Sequence, residues 1–120
     1  MPRNISFSLT TEQIRNRTKT VTRRLGWKKL KAGDVLNACV KCMGLKPGEK
    51  IERICQIRVV SAKQETLLEM CKEPYGVNEA RREGFPGKTG REFVEMFCEH
   101  IRPLYGVATD VTRIEFEYIE

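Results

Sequence analysis

Apolar and polar residues alternate from Ile5 to Leu9, which predicts a short strand, and Thr10 to Gln13 follows with capping-box spacing that opens a short helix through Arg17. Lys31-Ala32-Gly33-Asp34 is turn chemistry. Beyond it, Val35 to Cys42 places Leu36, Ala38, Val40 and Cys42 on one face at period two. A second turn, Gly44 to Gly48, leads to Ile51–Val60, where Cys55, Ile57 and Val59 alternate with Gln56 and Arg58. These two runs predict an antiparallel hairpin.

After Ser61 the period changes. Glu65 to Met70 has helical character, and Val77 to Glu83 predicts another short helix ending at Gly84. Thr89-Gly90-Arg91-Glu92 is a second capping box, followed by Phe93, Val94, Phe97, Cys98 and Ile101 at helical spacing, with Pro103 as the stop. The chain closes on an amphipathic strand with Thr112, Ile114, Phe116 and Tyr118 facing in and Arg113, Glu115 and Glu117 facing out. Strands at both ends, a central hairpin and a helical insertion predict an α+β fold, a mostly antiparallel, partly closed β-barrel with flanking helices.

Composition bounds this picture. With 120 residues, 40% hydrophobic and 32% charged, the chain is expected to form one globular domain over 1–120. No apolar run approaches the ~20 residues that span a bilayer, and no signal pattern opens the chain, so a cytoplasmic protein without membrane contact is expected. The five cysteines are an odd set among apolar neighbours and read as reduced thiols. Cys39 and Cys42 have zinc-like spacing, but there is no second pair and period two puts the thiols on opposite faces. Neither a metal nor a cofactor is expected.

Charge singles out one segment. Residues 1–33 carry nine Lys or Arg against Glu12 alone, whereas the rest carries thirteen cations against fifteen acids. The net charge of +6 is thus +8 from the first quarter and −2 from the remainder. Within it, Arg17-Thr18-Lys19-Thr20-Val21-Thr22-Arg23-Arg24 holds four cations and three hydroxyls with no acid. Such a segment suits an anion or a polar nucleotide. The plainer reading is a solvated basic edge whose threonines serve strand propensity.

Three stretches carry a family resemblance: Lys19-Thr20-Val21-Thr22-Arg23-Arg24, Lys31-Ala32-Gly33-Asp34-Val35-Leu36 and Glu83-Gly84-Phe85. In order and spacing they resemble the ASCH domains of the PUA-like superfamily. Lys41 to Ile54, Glu83 to Phe97 and Val111 to Tyr118 look like small single-domain ASCH proteins of bacteria, phages and prophages. The resemblance implies a PUA-like β-barrel with a cleft beside it and a role in binding RNA or other nucleic acid. Some small relatives are amidohydrolases that deacylate N4-acetylcytidine, and ribonuclease activity is also attributed to the family. By position, Lys19, Thr22 and Glu83 match the amidohydrolase lysine, threonine and glutamate, which implies a threonine nucleophile, an activating lysine and a proton-handling glutamate. Arg24 matches a motif arginine. The chain departs from these relatives at Asn16-Arg17-Thr18, where they have a small residue and glycine.

The residues alone leave alternatives open. A threonine hydroxyl attacks an amide only if its proton is accepted, and a lysine does this when burial or nearby cations lower its pKa. Arg17, Arg23 and Arg24 are such cations. In a regular strand, however, Lys19 and Thr22 point to opposite faces, so the pair requires an irregular segment. Without the resemblance, Glu83 reads first as an exposed partner of Arg81 or Arg82. Trp27, between the basic segment and Lys28-Lys29, suits base stacking or core packing; Tyr75 suits a loop anchor. His100 reads as a C-terminal dipole partner.

Two function classes follow. One is an RNA-binding or nucleotide-binding module using Arg15, Arg17, Thr20, Arg23, Arg24, Trp27, Lys28 and Lys29. The other is a hydrolase of acylated nucleosides using Lys19, Thr22 and Glu83.

Overall fold

The structure is a computed structural model that describes residues 2–42, 45–101 and 108–119. The elements run β1 (Arg3–Ser6), α1 (Thr11–Arg15), β2 (Val21–Arg24), β3 (Val35–Cys39), β4 (Arg53–Thr66), a 3₁₀ helix (Leu67–Cys71), α2 (Tyr75–Arg82), α3 (Gly90–Ile101) and β5 (Asp110–Ile119). The strands form one curled sheet, a half-barrel, in the order β1-β3-β4-β5-β2. Only the β1–β3 pairing is parallel; β3–β4, β4–β5 and β2–β5 are antiparallel. The fold is therefore α+β and mostly antiparallel, as the hydrophobic pattern predicts.

The expected hairpin is present, with Leu36 opposite Ile57 and Ala38 opposite Cys55. Three expectations change. Residues 61–66 continue β4 because they pair with β5 out to Thr66↔Asp110, and only then does the chain turn into the 3₁₀ helix. Cross-strand pairing overrides local helical character here. The Thr10 side chain makes no cap on α1; Thr11 Oγ1 donates to Phe7 O at 2.8 Å instead, and the helix ends at Arg15. β3 ends at Cys39, so period two does not reach Cys42, and the Cys39 thiol donates to Asn37 O at 3.5 Å. All five cysteines are free. The second capping box forms: the Thr89 N–H donates to Glu92 Oε1 at 2.9 Å and the Glu92 N–H to Thr89 Oγ1 at 3.1 Å. Pro103 and Gly44 lie outside the described residues.

Two cores result. One lies against the sheet, with Ile5, Phe7, Ile14, Leu36, Ile57 and Phe116 among its buried members. The other lies under α2 and α3 and joins Leu67, Met70, Ala80, Phe93, Val94 and Val111. α2 and α3 approach so closely at Gly76 and Gly90 that a Cβ on Gly90 would stand 2.6 Å from Gly76 Cα and 1.6 Å from Met70 O. No larger residue fits that crossing.

Candidate functional site

The basic segment is split by the fold. Thr18 to Thr20 have no regular structure, and only Val21–Arg24 are strand. This is the irregularity that the Lys19–Thr22 pair requires. The irregular stretch is pinned by its backbone: the Thr20 N–H donates to Arg82 O at 2.8 Å, the Phe116 N–H to Thr20 O at 2.9 Å, and the Tyr118 hydroxyl to Lys19 O. Lys19 enters from before the strand, and Thr22 and Arg24 follow on one strand face.

Lys19, Thr22, Arg24 and Glu83 all line one cleft of about 220 Å³. It opens where the two cores meet: Phe7 belongs to the sheet core, Phe93 to the helical one, and Phe85 and Phe97 pack against the latter. The Phe93 ring centroid lies 6.0 Å from those of both Phe85 and Phe97, so three phenyl rings form a continuous apolar wall. Ser8, Leu9 and His100 are exposed at its mouth, whereas Lys19, Thr22 and Glu83 are buried. β1 and β2 are the two free edges of the curled sheet, and Arg24 spans them. Its Nη2 donates to Ser6 O and its Nε to Thr22 Oγ1 at 3.1 Å.

Glu83 is brought in by the end of α2. It caps the helix, and Gly84 follows at φ +102°, where a Cβ would lie 2.8 Å from Gln13 Cγ. Gln13 Nε2 in turn donates to Gly84 O at 3.2 Å. Glycine is thus required for the turn that aims Glu83 inward. Glu83 is buried, not the exposed partner of Arg81 or Arg82. Lys19 Nζ donates to its Oε1 at 2.8 Å and to its carbonyl at 2.7 Å, and Arg23 Nη1 donates to Oε2 at 2.9 Å. Burial lowers the Lys19 pKa below its ordinary value; Glu83 opposes that, and Arg24 and Arg23 add to it.

Arg23 corrects the expected phosphate face. Its side chain is 0% exposed, and its donors reach Glu65 at 2.9 Å, Glu79 at 2.6 Å, Glu83 at 2.9 Å and Tyr75 OH at 3.2 Å. Burial alone would lower its pKa, but Glu83, Glu65 and Glu79 raise it. Although it also lines the cleft, it is the hub of a buried ion network, with Nε, Nη1 and Nη2 all turned to carboxylates, and is not part of an exposed phosphate face. Arg113, expected to face outward, belongs to the same network, because α2 covers that side of β5. Its Nε lies 2.6 Å from Glu79 Oε1. Tyr75 donates to Glu65 Oε1 at 3.0 Å, which makes it part of the network rather than a loop anchor alone.

The remaining basic residues lie elsewhere. Lys28 and Lys29 are exposed on the turn after β2 and do not line the cleft. Trp27, at φ 56°, packs against the sheet core with Arg3 4.2 Å from its ring centroid, so it too stands outside the cleft. Thr20 is half-buried, and Arg17 lies 5.4 Å from the Tyr118 ring centroid. Sequence reasoning missed the phenyl wall and the place of His100 at its mouth. The former was hidden in what reads as core spacing on α3.

No family model matches the sequence, and no curated protein matches it. Solved structures do. The hypothetical protein PH0355 superposes with a TM-score of 0.66 at 20% identity over 99% of this chain and 100% of its own. Protein EF3133 from Enterococcus faecalis V583, of family DUF984, gives 0.64 at 16% identity over 99% of this chain and 80% of its own. The ASCH domain from Lactobacillus crispatus JV V101 gives 0.60 at 14% identity over 97% of this chain and 78% of its own. Sheet order, flanking helices and these superpositions agree: the chain has the ASCH-like, PUA-like fold.

Proposed function

We propose that the cleft binds a base-containing ligand, a nucleoside unit that is either free or exposed in RNA. The observation that carries this reading is the meeting of Lys19, Thr22, Arg24 and Glu83, from separate segments, beneath a wall of Phe85, Phe93 and Phe97. Planar heterocycles stack on such rings, while a few fixed donors and acceptors read their edges. At about 220 Å³ the cleft lies below the ~300–1,000 Å³ of drug-sized sites, which fits a single base rather than a length of chain. The burial of Arg23 removes part of the basic face from phosphate contact. The cleft, not an extended cationic surface, is the centre of this function.

Calorimetric titration with the four ribonucleosides, their 5′-monophosphates and a short single-stranded RNA tests it. Saturable binding by at least one of them, weakened by Phe97→Ala and unchanged by Lys28→Glu/Lys29→Glu, supports the cleft. Binding that tracks Lys28 and Lys29 alone, or no binding by any, refutes it.

A second reading is favoured by one observation: Lys19 is buried, with a lowered pKa, in the same cleft as the Thr22 hydroxyl. In this reading the ligand is an acylated nucleoside and the protein hydrolyses its amide. Lys19, after passing its proton to Glu83 across their 2.8 Å contact, takes the Thr22 proton as Oγ1 adds to the carbonyl carbon. The C–N bond then breaks as a proton from the Lys19–Glu83 pair reaches the leaving nitrogen, and water frees the acyl group from Thr22. Incubation with N4-acetylcytidine tests this: release of cytidine that is lost in Lys19→Ala supports it, and no release by the wild type excludes it.

A further inference from the structure

Behind the cleft, Lys19, Arg23, Arg24, Arg82 and Arg113 face Glu65, Glu79, Glu83 and Glu115, so the cluster has five formal positive charges against four negative. Lys19, Arg23, Arg82 and Arg113 each have a carboxylate within 2.9 Å. Arg24 has none among the described residues. Its Nε is taken by Thr22 Oγ1 and its Nη2 by Ser6 O, and Phe7 lies against the guanidinium, its ring centroid 4.8 Å away. Nη1 has no hydrogen-bond partner among the described residues. It is also not sealed off, because among the described residues every fully enclosed side-chain nitrogen or oxygen has a partner.

A guanidinium largely removed from water without a counter-charge is costly, and an anion that reaches it regains much of that cost. Burial brings its pKa down to about 10, with Glu83 and Cys42 opposing, so Arg24 remains a cation at neutral pH. Guanidinium donors match phosphate oxygens in geometry as well as charge. We infer that the ligand of this cleft is a nucleoside phosphate, with its base against the phenyl wall and a phosphate oxygen on Arg24 Nη1. This rests on the base-binding reading above and adds to it that a neutral nucleoside is not the preferred ligand.

The test is calorimetry on the full chain at low salt with cytidine, cytidine 5′-monophosphate and a short cytidine-rich RNA lacking terminal phosphates. The expected result is that a phosphate-bearing probe binds about tenfold or more tighter than cytidine, as one added charge-assisted hydrogen bond gives. The monophosphate as the tighter of the two phosphate probes assigns a free nucleotide; the RNA assigns a phosphodiester.

Arg24→Gln is expected to bring the preference to near one, and Arg58→Gln, on an exposed pair with Glu117, to leave it intact. Equal affinity of the wild type for cytidine and both phosphate probes overturns the inference while leaving base binding standing. The absence of binding by all three, together with none in the four-nucleoside titration above, overturns both. Should Arg24→Gln fail to fold because the β1–β2 seam opens, the wild-type comparison still decides.

Discussion

Lys19 Nζ lies 2.8 Å from Glu83 Oε1, with both side chains only 3% exposed, although 64 residues separate them in the chain. The two partners are not equivalent. Glu83 also accepts Arg23 Nη1, whereas Lys19 has no other carboxylate among the described residues.

That asymmetry predicts unequal mutational costs. Glu83→Ala leaves a buried ammonium unpaired and is expected to destabilise by about 3–5 kcal/mol. Lys19→Met leaves Glu83 still paired with Arg23 and keeps an apolar chain in place, so its cost is expected to stay below about 2 kcal/mol. Urea denaturation of both variants measures the difference. A Lys19→Met cost equal to or above that of Glu83→Ala contradicts the pairing.

The ion network also predicts a pH dependence. Burial pushes the Glu79 carboxyl up, but hydrogen bonds from Arg113 and Arg23, with their charges, outweigh it and hold the group at about 2, against 4.5 unperturbed. The unfolded chain therefore takes up this proton first as pH falls. The stability that Glu79 contributes is full above 4.5 and is lost as pH drops towards about 2. The stability gap between wild type and Glu79→Gln should shrink steadily from pH 6 to pH 2.5 in thermal melts. A gap constant over that range would show that the carboxylate is not ion-paired.

Gly84 is expected to resist substitution. Alanine there meets both the positive φ and the Gln13 side chain, with a cost of about 1–2 kcal/mol. Ligand binding should weaken as well, because the same turn aims Glu83 into the cleft. Denaturation and calorimetry on Gly84→Ala check both; a stable variant with full affinity would detach the turn from the site.

The phenyl wall separates stability from binding. Phe93 is fully buried and Phe97 only partly. Phe93→Ala should cost about 3–5 kcal/mol in stability. Phe97→Ala should cost clearly less stability, yet lose about 1–3 kcal/mol of ligand binding if a base stacks on it. Loss of stability without loss of affinity in Phe97→Ala would place the ligand elsewhere.

Much of the sheet was legible in period-two alternation, because Leu36, Ala38, Ile57 and Val59 have one buried face that fixes their register. Legibility failed where a second layer covered the sheet. Arg113 reads as solvent-facing by alternation, but α2 lies over it and supplies Glu79 as its partner. Arg23 failed in the same way: eight residues without an acid look like an open basic patch, and the neutralising Glu65, Glu79 and Glu83 come from 42 to 60 residues away. Local charge counts cannot contain such pairings. Lys19, Thr22 and Glu83 were legible through the family resemblance, whereas their meeting required the irregular Thr18–Thr20 stretch and the Gly84 turn.

Amide chemical-shift mapping of the isotopically labelled chain during titration with cytidine 5′-monophosphate tests the central claim most directly, since it locates the ligand without assuming a reaction. Saturable shifts concentrated at Lys19, Thr22, Arg24, Phe85, Phe93 and Phe97 are expected. Shifts confined to the Lys28–Lys29 turn, or none at millimolar ligand, would contradict that claim.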